Sequence, residues 1–151
     1  MILNKSSKER IIETHLRHYN TYKIGMKNLQ RQLDYIMPSL VSGYGSDGSH
    51  SFFYIGNNTE RVALDRIESK KAIDLREEIE RYRLITESID NALEELKPHE
   101  KLFVHLRYFE YMQIELVKDA MDYAEVKSIY RIRRHVLDKL MISLNNLLTL
   151  K

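Results

Sequence analysis

The chain has 151 residues, 43% of them apolar and 30% charged, with a formal net charge of +2. That balance is globular, which excludes wholesale disorder, and the length suits one domain or two small modules. The absence of cysteine excludes disulfides and thiolate metal sites, and no apolar run approaches the roughly 18 residues that a membrane span needs.

Five glycines and two prolines leave few turns, so long helices are expected rather than a sheet-rich fold. The opening MILNKSSKERIIETH carries charge where a signal peptide has its apolar core. A soluble, cytoplasmic protein is expected.

From about Ser6 to Met37, apolar residues fall at Ile12, Leu16, Tyr19, Met26, Leu29, Leu33 and Ile36. Steps of three, four and seven predict one long helix, with Ser6 or Ser7 as its cap and Met37-Pro38 as its end. Its outer face is basic. Residues 38–58 hold four of the five glycines and read as a long loop. The cluster Phe52 to Ile55 inside it reads as a short strand or as a hydrophobic plug on a helix or another subunit, with a plug onto this chain's own core expected.

A second long helix is expected from Asn57 or Asn58, with Glu60 near its start, to about Leu96. Its later apolar positions are Ile79, Tyr82, Ile85, Ile89, Leu93 and Leu96. This helix is acidic where the first is basic, so the two are expected to pair as an antiparallel hairpin or between subunits.

Pro98 then starts a short helix over 99–109, with Leu102, Phe103, Leu106 and Phe109 inward. Ile114 to Met121 forms another, and Asp122-Tyr123-Ala124 is a tight connection. The last helix runs from Val126 to about Leu148, with Val126, Ile129, Ile132, Val136, Leu140 and Leu144 on its apolar stripe.

Short helices, a tight turn and a longer helix with a basic start are the layout of a helix-turn-helix, whose second helix enters the major groove. Lys127, Tyr130, Arg131 and Arg134 project away from the apolar stripe, with Ser128 and Arg133 at its margins. Arginine can bond two acceptors of guanine at once, while lysine, serine and tyrosine suit phosphates. Five Lys or Arg and one Asp lie between Val126 and Lys139, so the small total charge conceals a local basic patch.

The segments LKPHEKLFVHLRYFE and VKSIYRIRRHVLDKL resemble region four of bacterial sigma factors. More closely, they resemble the sigma-like C-terminal domain of phage late-gene regulators of the ArpU and RinA type. The matching residues are Leu96, Glu100, Lys101, Leu102, Phe103, Leu106, Arg107, Tyr108, Phe109 and Glu110. They continue with Ile129, Tyr130, Arg131, Arg133, Arg134, Val136, Leu137, Lys139 and Leu140. The resemblance is specific over about residues 96–144 and looser before them. It implies an activator of phage late genes for packaging, morphogenesis or lysis, working in the bacterial host cell. Its partners would be double-stranded DNA and host RNA polymerase, while a homo-oligomer is expected from the long helices before residue 97.

Two departures bear on that implication. The family turn offers glycine then serine, where this chain has Asp122 and Ala124. Aspartate tolerates the left-handed conformation better than most residues, but the serine cap is lost. The helix 114–121 also leaves the family pattern, with Gln113 and Lys118 as its remaining phosphate-contacting candidates.

The expected architecture is therefore all-α. Residues 1–96 would form a long helical hairpin or coiled-coil part, used for oligomerisation or positioning. Residues 97–151 would form the helix-turn-helix domain. The expected function is sequence-specific transcriptional regulation. A small-terminase-like packaging subunit and a helical adaptor without DNA are the alternatives. The six histidines lack the spacing of a metal motif, and no phosphate loop or nucleophile elbow occurs, so neither a metal, a cofactor nor an enzymatic activity is expected.

Overall fold

The computed structural model describes residues 2–36 and 58–150, with the side chains of 58–62 excepted. Residues 38–57 of the expected loop at 38–58, its Phe52 to Ile55 cluster and the helix end at Met37-Pro38 lie outside the described residues. Every regular element within them is helical, and the chain is all-α. The helices are α1 (Lys5–Arg17), α2 (Tyr19–Ile36), α3 (Asn58–Glu94), α4 (Pro98–Val104), α5 (Ile114–Ala120) and α6 (Val126–Ser143). A π-helical turn, His105–Phe109, follows α4, and a 3-10 turn, Asn145–Thr149, follows α6.

The first helix starts as a polar cap dictates, although the capping residue is Asn4 rather than a serine. The Ser7 backbone N–H donates to Asn4 Oδ1 at 2.8 Å. The single helix expected over 6–37 is interrupted at His18, which adopts φ −90° and ψ 2°. The His18 N–H still reaches the Thr14 carbonyl, and the Tyr22 N–H reaches the His18 carbonyl, so the break costs one residue.

The residues divide into two compact units, one from 1–23 with 83–151 and the other from 24–82. The expected boundary near residue 97 does not coincide with that division. In the first unit a continuous core joins Ile12 and Leu16 of α1 to Ile85, Ile89 and Ala92 of α3. It continues through Phe103, Val104, Tyr108 and Val117 to Ile129, Val136, Leu137, Leu140 and Leu144. Helices α1, α4 and α5 all pack on α6, and α1 also meets the π-helical turn. In the second unit Leu33 of α2 meets Ala72 and Ile79 of α3, flanked by Met26, Leu29 and Leu75.

The inward side chains of 99–109 differ in part from the expected set, since Glu100, Val104 and Tyr108 are buried at steps of four. Leu102, expected inward, is 43% exposed, whereas Tyr108 is wholly buried. Phe109 stacks on Tyr19, centroids 4.6 Å apart, and the Tyr19 hydroxyl donates to Asp90. Burial, then the Asp90 carboxylate, raise the pKa of that phenol. The last helix ends at Ser143 rather than near Leu148, because the chain tightens into the 3-10 turn that buries Leu147 and Leu148.

Candidate nucleic-acid interface

Helix α5, the connection 121–125 and helix α6 form the framework of the site. The connection turns at Asp122, which holds φ 59°, the left-handed region that suits aspartate better than most residues. The Tyr123 N–H reaches back to the Lys118 carbonyl at 3.0 Å, and the Asp122 N–H to the Asp119 carbonyl at 3.2 Å. These bonds satisfy carbonyls at the end of α5. Glu125 then precedes α6 in extended conformation without a side-chain cap.

Helix α6 buries Ile129, Ile132, Val136, Leu137 and Leu140, at steps of three and four. The opposite stripe carries Lys127, Arg131, Arg134 and Asp138, at steps of four, three and four. The first three are exposed, as is Tyr130 beside them, and among the described residues their side chains make no hydrogen bond or ion pair. Asp138 is bound by Lys5 of α1, Nζ to Oδ1 3.1 Å.

The eight expected contact residues separate into groups. Lys127, Tyr130, Arg131 and Arg134 share the exposed face of α6. Gln113 is exposed at the N-cap position of α5. Ser128 is half-buried at the edge, and Lys118 is half-buried and paired with Asp119 at 3.3 Å. Arg133 faces the other way. It is half-buried and bonded to Glu13 of α1. Burial opposes its charge, but Glu13 outweighs that, and the guanidinium pKa is raised. Its role is thus to fasten α1 to α6.

The spacing contained a sign of this. Arg133 lies four residues after Ile129 and four before Leu137, so it belongs to the apolar side of α6. An arginine there needs a carboxylate. Glu13 follows the buried Ile12, but only folding brings it across the 120 residues that separate the two.

Two other polar groups lie in the core behind the site. Glu100 is 2% exposed and accepts from Lys139 Nζ at 2.7 Å and from the Lys97 backbone N–H at 3.2 Å. Burial disfavours its charge, but Lys139 and the Lys97 N–H prevail and hold the carboxyl below the usual carboxylate range. The Tyr108 hydroxyl has no hydrogen-bond partner among the described residues, and burial pushes its pKa up.

Among the described residues no three His, Asp or Glu side chains gather as a metal ion would require, and no helix is long and apolar enough to cross a membrane. No protein-family model, curated protein or solved structure matches the chain.

Proposed function

We propose that α5, its turn and α6 act as a helix-turn-helix that binds double-stranded DNA, in a transcriptional regulator of phage late genes. The observation that carries this reading is the row Lys127, Arg131 and Arg134 on α6, exposed and without a partner among the described residues. A helix face that is merely solvated commonly alternates charges of both signs. Here the one carboxylate of α6, Asp138, is taken by Lys5. The row therefore presents net positive potential on a helix that a rigid core holds from behind.

In this reading Arg131 and Arg134 approach base edges, and Lys127 and Tyr130 meet phosphates. Gln113 lies at the start of α5, the helix that crosses the backbone in such motifs. The resemblance of residues 96–144 to the sigma-like domain of late-gene regulators implies the class of promoter and host RNA polymerase as a further partner.

The test is selection of duplex fragments from the encoding genome by the purified protein at moderate salt, with Arg131→Ala beside it. The expected result is enrichment of a site upstream of a late operon. The mutant should lose about 1–3 kcal/mol there and relax its choice of base. Uniform weak binding by both proteins would replace regulation with a packaging or architectural role. No binding by either would refute the DNA reading.

A further inference from the structure

The stripe on α6 does not end with an arginine. Its next position is Asp138, and a bare carboxylate there would repel a phosphate. Lys5 changes that end of the surface. Its ammonium lies 3.1 Å from Asp138 Oδ1, with both side chains open to solvent, 62% and 47% exposed. An ammonium has three N–H donors, so an ion pair with one carboxylate does not exhaust them.

The position of Lys5 is set by the fold. The Asn4 side chain caps the first turn of α1 at the Ser7 N–H. Eight residues after Lys5, Glu13 is fastened to Arg133, and Ile12 and Leu16 are wholly buried in the core shared with α6. Lys5 meets residue 138 and Glu13 meets residue 133, so α1 runs antiparallel to α6. The start of α1 thus lies at the far end of the stripe.

From Lys127 to Asp138 the helix rises about 16 Å, at roughly 1.5 Å per residue. A major groove is about 12 Å wide. A helix set across a groove of that width, with its start among base edges, would carry the Asp138 end to the flanking sugar-phosphate wall.

We infer that Lys5 of α1 is a DNA-phosphate contact, held by Asp138 at the end of the α6 stripe. The inference rests on the DNA reading above. It gives the N-terminal helix a share in binding, distinct in kind from that of Arg131. Arg131 discriminates sequences, whereas Lys5 strengthens binding to any duplex.

The experiment measures affinity against salt concentration for the selected site and for an unrelated duplex. It uses the intact chain, Lys5→Ala, Arg131→Ala and Lys101→Ala, the last removing an exposed cation of α4. Lys5→Ala should weaken binding to both duplexes by the same factor, in the parent and equally in an Asp138→Asn background, where no carboxylate is unmasked; a loss confined to the parent would overturn the inference. The slope of log affinity against log salt should become shallower by about 0.9, the value for one phosphate contact. Lys101→Ala should leave the slope unchanged. An unchanged slope in Lys5→Ala, or an equal change in Lys101→Ala, would overturn the inference, while a selective loss in Arg131→Ala would keep the DNA reading intact. If the parent protein binds neither duplex, both fall together. Thermal melting checks the fold, which Lys5→Ala should leave nearly unchanged, since an exposed ion pair contributes about 0–1 kcal/mol.

Discussion

Glu100 shows how one buried charge is kept in this core. Its carboxylate gains the Lys139 ammonium and a backbone N–H where α4 begins, and these more than offset the cost of burial. A folded pKa below the ordinary 4.5 means that the group's contribution to stability is complete above about that pH. The contribution fades as pH falls through the lower folded value. Glu100→Gln should therefore reduce stability at neutral pH by about 1–3 kcal/mol, because Lys139 loses a charged partner and the amide meets its sites less well. The parent's margin over the mutant should shrink in melts run from pH 5 downward. A margin that stays constant with pH would show that the pair carries no charge-dependent stability. Arg133 follows the same logic at the opposite side of α6, where Glu13 compensates its partial burial.

At the scale of elements, the joint between α5 and α6 depends on backbone conformation. Asp122 occupies φ 59° without being glycine, and Tyr111, before α5, does the same at 58°. A left-handed residue with a side chain carries a penalty of about 1–2 kcal/mol, smaller for aspartate because its short polar side chain bonds locally. Asp122→Gly should thus leave stability unchanged or raise it by up to about 1 kcal/mol. Asp122→Val should lower it by about 1–3 kcal/mol, because a β-branched residue is least suited to that region. Denaturant midpoints of the two variants test the pair. Equal stability of the two would mean that the turn is not held left-handed in solution. Tyr111 is anchored by its own hydroxyl, which donates to the Arg17 carbonyl at 2.8 Å and ties the approach to α5 onto α1.

On the scale of the whole molecule, the unit that carries α6 is discontinuous in sequence. Ile12 and Leu16 from one end of the chain share a core with Ile85, Ile89 and Ala92 and with the C-terminal helices. A fragment of residues 97–151 would leave the facing side chains of α6 uncovered. It should show no sharp thermal transition by circular dichroism, in contrast to the intact chain. Cooperative melting of the fragment near the parent's temperature would show that the C-terminal helices need neither α1 nor α3. The same architecture explains why Lys5 and Glu13, more than 100 residues from α6 in sequence, belong to its surface.

Much of this protein was already determined by local sequence. Helical periods at Ile79, Ile85, Ile89 and Leu96, and again at Ile129, Ile132, Val136 and Leu140, gave the helices and their buried faces, because each pattern is written within a few turns. The exposed quartet Lys127, Tyr130, Arg131 and Arg134 follows from the same phase, and Asp122 as a left-handed turn from its chemistry. The break at His18 and the π-helical turn at His105–Phe109 had no glycine or proline to announce them. Side chains of the two neighbourhoods meet only in the fold, as Phe109 stacks on Tyr19. Only tertiary structure decided that Arg133 turns to Glu13, that Lys5 caps the stripe at Asp138, and that α1 closes the core behind α6. Each of those is a pairing across more than 100 residues, and no periodicity within one helix encodes the identity of a partner on another.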